Sequence, residues 1–187
     1  MSHSGSHPEI RSAIESDVPE ILSLIRSLAE YEKLTHMVQA DEARLRETLF
    51  GEKPAAEVLL AFDQGECAGF AVFFPTYSTF LARPGLYLED LFVHPHLRRR
   101  GIGLALLKRL ARLASGGQLL AVTHSPQVAA RGTTHYVIAK SSEGTVTRTG
   151  VARLDGGGRR QEIARMLSGA EITEEARAQA DRLLEGV

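Results

Sequence analysis

The sequence predicts an α/β domain built on a mixed sheet, and three observations carry that expectation. Short apolar stretches alternate with amphipathic segments of helical period along the first two-thirds of the chain. The run Leu86 to Lys108 reads without a break as an apolar strand, a Pro-marked turn, a basic Gly-containing loop and an amphipathic helix. The 187 residues, 43% of them hydrophobic, suffice for one ordinary core, or one core with a small appendage.

Taken in order, residues 1–7 are expected to be a floppy lead-in. Glu9 to Ile14 alternates as a short strand. Asp17 offers an N-cap with Glu20 three residues on, and Ile21, Leu24, Ile25 and Leu28 then predict a helix to about Leu34. A second helix starts near Asp41, buries Leu45 and Leu49, and stops at Gly51. Glu57–Phe62 and Cys67–Phe74 are strands joined by the turn Asp63-Gln-Gly-Glu66. Tyr87–Val93 is the next strand. Leu104–Ala114 is a helix with Leu106, Leu107, Leu110 and Leu113 on its inner side.

The remainder predicts a buried strand from Leu119 to Thr123, a short helix from Pro126 to Ala130, and a hairpin of 135–140 with 146–154 turned at Ser142-Glu-Gly144. Gly156 to Gly158 read as a flexible joint before two helices, about 159–167 and 174–184, the second capped by Thr173.

Composition narrows the function. A net charge of −1 gives no global pull toward nucleic acid or membrane, and no apolar run approaches the ~20 residues of a membrane span. One cysteine, Cys67, leaves no internal disulfide and fits a reducing compartment, so a cytoplasmic setting is expected. Seven histidines and that cysteine show no metal-ligand spacing, and His94 and His96, flanking a proline, read as solvent-facing. Basic residues are not interleaved with aromatics, so no nucleic-acid surface is expected.

The order β-α-α-β-β-β-α, with Arg98-x-x-Gly101-x-Gly103 between strand and helix, resembles the GNAT N-acetyltransferases. Ser27-Leu-Ala-Glu-Tyr-Glu-Lys33, Phe74-Pro-Thr-Tyr-Ser-Thr-Phe80 and Tyr87-Leu-Glu-Asp-Leu-Phe-Val93 are similar to the diamine branch of that family, which acts on spermidine, spermine or thialysine. This resemblance covers about residues 8–114. From there Gln118 to Ala130, His135 to Lys140 and Arg160 to Gly169 resemble the end of RecN, an SMC-like DNA-repair ATPase. The expectation is a GNAT-like core over 8–114, its last third replaced by a RecN-like strand-helix-hairpin-helices segment over 115–187. That segment either closes the sheet or hangs on as an appendage.

The resemblance implies acetyl-CoA as co-substrate, a small primary amine as acceptor, and a homodimer as the assembly of the branch. Backbone groups of Leu91, Phe92 and Val93 would hold the thioester and pantetheine arm. Arg98, Arg99, Arg100, Gly101, Ile102, Gly103 and Leu104 would cradle the diphosphate, as free N–H groups at a helix N-terminus favour. The alternative for the arginines is a solvated turn. Glu89 and Asp90 interrupt an apolar strand, where charge is costly unless used. Strand alternation sends them to opposite faces. Glu89 by resemblance faces the amine, binding its ammonium or relaying its proton through water; a structural ion pair is the alternative. Tyr31 and Glu32 match positions that contact polyamine, or are helix surface. The tyrosine acid expected on the helix after the fifth strand has no counterpart here, and Tyr77 and Tyr136 match it by no motif. His124 resembles the switch histidine of ABC-type ATPases, yet the chain has no G-x-x-x-x-G-K-[ST] loop.

Overall fold

Alternating apolar residues along the first half of the chain pair into one twisted sheet of five strands, in the order β1-β2-β3-β4-β5. The computed structural model describes residues 7–143, 146–169 and 171–186. It resolves into two compact units, Met1–Val122 and Thr123–Val187.

In the first unit β1 (Glu9–Ser12), β2 (Glu57–Asp63), β3 (Glu66–Ser78) and β4 (Arg83–Val93) pair antiparallel in succession, and β5 (Gln118–Ala121) pairs parallel to β4. On one face lie α1 (Val18–Tyr31) and α2 (Glu42–Phe50). There Val18, Ile21, Leu22, Leu24 and Leu45 close over Val58, Leu60, Phe70 and Phe92. From the other face α3 (Ile102–Leu113) buries Ile102, Leu106 and Leu110. Each of these large side chains contributes about 1.5–3 kcal/mol by leaving water. The helical stripe is shorter than its sequence period suggests, since Leu113 is 43% exposed. Gly69 of β3 is required by contact: a Cβ there would lie 2.3 Å from the Phe92 carbonyl oxygen of β4.

Several local signals resolve differently from their sequence reading. Asp17 caps nothing with its own side chain in α1; a 3-10 turn, Glu15–Asp17, precedes the helix, and the Asp17 carboxylate reaches back to the Ile14 N–H at 2.8 Å. It also takes two hydrogen bonds from Arg11, at 2.6 and 2.8 Å, which hold it below the usual carboxylate range. α1 stops at Tyr31, short of Leu34, because Lys33 turns left-handed at φ 62°. The Lys33 and Leu34 N–H groups then return to the Glu30 and Ala29 carbonyls in a Schellman pattern. Asp41 does cap α2, accepting the Arg44 N–H at 2.8 Å. β5 is an edge, not a buried strand: Leu120 is 46% exposed.

The second unit contains α4 (Pro126–Ala129), a two-stranded sheet of β6 (Tyr136–Glu143) and β7 (Val146–Arg153), and helices α5 (Gly156–Ser168) and α6 (Glu174–Glu185). The hairpin pairs with itself, and residues 144–145 of its expected turn lie outside the described residues. Gly156 to Gly158 form the first turn of α5 instead of a joint, because the Asp155 carboxylate caps them through the Gly158 N–H at 2.7 Å. Thr173 caps α6 through the Ala176 N–H. The core is small side chains, Ala130, Ala164, Ala176 and Ala180, around the fully buried Ile163. No helix among the described residues is long and apolar enough to cross a membrane.

Candidate active site

The centre of the site is an irregularity in β4. Val72 pairs with Asp90 and Phe73 with Leu88, so Glu89 is one residue more than β3 can match. Such a bulge shifts the alternation of the bulged strand. Beyond it Phe92 meets Phe70 on the α1 side at 6.4 Å between ring centroids, while Leu91 and Val93 lie under Gly103 of α3. The alternation that separates Glu89 from Asp90 in a regular strand therefore fails here. Burial of Asp90, with Glu89 and Glu32 as like charges beside it, raises its pKa above the usual carboxylate value.

The bulge also marks where β4 and β5 part. β5 pairs only with Gly85, Leu86, Tyr87 and Leu88, so the same edge of β4 from Glu89 to Val93 carries no strand among the described residues. The His94 N–H bonds the Ala68 carbonyl of β3, so by antiparallel alternation the backbone groups of Val93 and Leu91 face the open edge.

The loop after β4 delivers α3 to that opening. Pro95–Leu97 forms a 3-10 turn pinned by the buried Leu97, Arg99 turns left-handed at φ 67°, and Gly101 occupies the N-cap at φ 80°. Glycine tolerates that backbone without strain and brings no capping side chain. The first bond into α3 runs from the Ala105 N–H to the Gly101 carbonyl, so the N–H groups of Ile102, Gly103 and Leu104 have no acceptor among the described residues. A Cβ on Gly103 would meet only ordinary contacts, so its smallness is not demanded by the protein's own packing.

The three arginines differ. Arg98 turns inward: its Nε donates to the Val93 carbonyl at 3.0 Å and its guanidinium lies 4.3 Å from the Tyr31 ring centroid. Arg100 donates to the buried Asp63 at 2.9 Å. Arg99 is exposed and has no ionic partner among the described residues. Tyr31, 55% exposed, thus bridges the end of α1 to the loop, 6.4 Å from the Phe92 ring, with the exposed Glu32 next to it.

Two surface cavities, about 430 and 540 Å³, lie away from this opening, one along α1 and α2 and one around Arg11, Cys67 and His94. The Cys67 thiol is pushed up to about 11 by burial and by Glu20, which makes it a poor nucleophile. His94 meets the Phe92 ring edge to face, 5.3 Å between centroids, and is half-buried, where its sequence context suggested solvent. No group of three potential metal ligands occurs among the described residues. Tyr77 and Tyr136 are 65% and 54% exposed. Sequence reasoning missed Asp63, taken only as a turn residue, because a salt bridge spanning 37 positions leaves no local signal.

Comparison with known proteins bears on the fold and the family. The family model described as "Acetyltransferase (GNAT) family" matches residues 19–134. The thialysine N-epsilon-acetyltransferase of Bos taurus is 44% identical over 113 residues, 56% of this chain and 66% of that protein, so the match spans just under two-thirds of the relative's length. The DNA repair protein RecN of Streptomyces coelicolor is 50% identical over 78 residues, 42% of this chain and 14% of that protein. Among solved structures, an aminoglycoside acetyltransferase from an uncultured soil metagenomic sample superposes with a TM-score of 0.60 at 21% identity, over 75% of this chain and 100% of that one, a likeness of fold. The chain belongs to the GNAT acetyltransferase family.

Proposed function

We propose that the chain binds acetyl-CoA in the opening between β4 and β5 and transfers its acetyl group to a primary amine of a small molecule, polyamine or lysine-like. One observation carries the reading: the unpaired β4 edge runs directly into the uncapped N-terminus of α3. The residues fit the co-substrate. Leu91 offers its backbone groups and Val93 its N–H, the Val93 carbonyl being held by Arg98, to an amide-bearing arm, with Phe92 packed behind them. The N–H groups from Ile102 to Leu104, with the positive end of the α3 dipole and Arg98 to Arg100 around them, suit a diphosphate.

Acetyl-CoA supplies an activated acyl group. The chain's own residues draw in and prepare the amine. Glu89, exposed at the bulge, attracts the ammonium and accepts its proton, directly or through a water. Glu32 and Asp90 deepen the negative potential, and Tyr31 walls the site from the α1 side. A named thialysine acetyltransferase among the relatives supports an amine acceptor of this class. The single cysteine supports a cytoplasmic setting.

The RecN match supports reading the chain as a fusion, in which a RecN-like segment supplies β5 and the second unit. That segment brings neither a phosphate-binding loop for ATP nor a tyrosine in the family's general-acid position. Transfer is therefore expected to run ~10²–10⁴-fold slower than in an enzyme with its acid in place.

Thermal unfolding of the chain with and without acetyl-CoA, ATP serving as control, tests the reading. At 100 times its Kd a ligand adds about 2.7 kcal/mol. The expected result is a transition raised by acetyl-CoA, unmoved by ATP, and indifferent to acetyl-CoA in Gly103→Glu. Mass spectrometry of thialysine, ornithine and spermidine incubated with chain and acetyl-CoA then reads the transfer. A cooperative transition that ignores acetyl-CoA would sink the proposal.

A further inference from the structure

We infer that Asp63 is a positioning residue for the diphosphate loop, acting through Arg100, and that Arg99 is the arginine left to meet the phosphates. The inference rests on the acetyl-CoA reading of that loop.

Asp63 is the one charged side chain buried among the described residues, 9% exposed at the end of β2. A buried carboxylate is costly unless paired, and its ionic partner is Arg100, whose Nη1 donates to Oδ2 at 2.9 Å. The anchorage is rigid. Asp63 pairs with Glu66 across a two-residue turn in which Gln64 and Gly65 both have positive φ, 53° and 85°. Arg100 lies between the two left-handed residues of the loop, Arg99 and Gly101. Fixing Arg100 therefore fixes the backbone on both sides of it, at the point where the free N–H groups of α3 begin.

The loop's other end is tied by Arg98, through the Val93 carbonyl and the Tyr31 ring. Two of three neighbouring arginines are thus held by contacts within the protein, one of them, Arg100, by a carboxylate. The neutral Asp63–Arg100 pair adds little net attraction for an anion. Arg98 keeps its charge but is held against a carbonyl and a ring, whereas Arg99 has no partner among the described residues and its side chain is in solvent. Backbone N–H groups supply the shape of the anion site, Asp63 holds that shape, and Arg99 supplies the charge.

Two probes separate this from a salt bridge that merely stabilises the fold. Adenosine 3′-phosphate 5′-diphosphate carries the diphosphate without the thioester; S-acetylpantetheine carries the thioester without the diphosphate. Asp63→Asn in the full chain should weaken calorimetric binding of the first about tenfold, a loss of one charge-assisted bond's order. The KM for S-acetylpantetheine should stay unchanged. Arg100→Met should give the same loss, and the double variant should be no worse than either, since paired residues do not add. Arg99→Met should weaken binding with a flatter salt dependence, whereas Asp63→Asn, which leaves the Arg100 charge unbalanced, should weaken binding without flattening it.

If the wild-type chain binds the diphosphate probe and both Asp63→Asn and Arg100→Met bind it equally well, the positioning role is wrong and the acetyl-CoA reading stands. If the wild-type chain binds neither the probe nor acetyl-CoA, the acetyl-CoA reading falls and takes this inference with it. Should Asp63→Asn fail to fold, Arg100→Met, which alters a half-exposed guanidinium, decides the question.

Discussion

The two compact units are held together by different means. The first buries Phe70, Ile21, Leu24, Leu59, Leu60, Leu106 and Leu110 completely, on both faces of a five-stranded sheet. The second packs alanines around a single large fully buried side chain, Ile163, and laces its surface with Arg160–Asp181, Arg165–Glu162 and Arg177–Glu174. Exposed ion pairs contribute little, and a unit of this size with a small-residue core is marginal. The lesson is that the β4 scaffold of the proposed site depends on the first unit's core.

Phe70→Ala should be the most damaging change, costing about 3–5 kcal/mol in the first unit's unfolding transition, read by denaturant titration. Ile163→Ala should cost about 2–4 kcal/mol in the second unit alone. A single shared transition that moves equally in both variants would erase the distinction between the units.

Finer probes sharpen the picture within the first unit, and two of them carry opposite signs with pH. Asp17 has a lowered pKa in the folded chain, so its contribution is complete above the unfolded value of about 3.9 and fades as pH falls through the folded one. Asp17→Asn should therefore cost about 1 kcal/mol at pH 7 and progressively less as the pH falls below the unfolded value. Lys33→Gly should stabilise by about 0.5–1 kcal/mol, by relieving the left-handed strain that ends α1. Asp90 has a raised pKa, so its charge weighs against folding once pH rises past the unfolded value. Asp90→Asn should raise the Tm slightly at pH 7 and leave it alone at pH 3.

The sequence was legible wherever a signal was local. The period of Ile21, Leu24 and Leu28 gave α1, α2 starts beside Asp41 as read, and Thr173 declared its cap. The strand–loop–helix run around Gly101 also formed as its residues suggested. What stayed hidden depended on partners distant in the chain, or on backbone states the residue type does not advertise. A left-handed lysine ended α1 where a glycine would have announced itself. Three glycines, normally read as slack, became a helical turn because Asp155 stood before them. Leu119 and Leu120 read as interior, yet β5 is an edge, since nothing in its four residues says whether another strand will follow. Glu89 and Asp90 were assigned by a two-residue period that a bulge interrupts.

That bulge works on β4 as a frameshift works on a message. β3 pairs with β4 on both sides of it, while β5 pairs only ahead of it, from Gly85 to Leu88, and the extra position shifts which residues of β4 face α1 and which face α3. Glu89 can therefore be exchanged for another residue with the frame intact. Deleting it would set Leu88 and Asp90 side by side opposite Phe73 and Val72, a regular ladder with both halves on their present faces but no bulge. What the extra residue supplies is the local bend and twist of a bulge, with the exposed Glu89 placed at it.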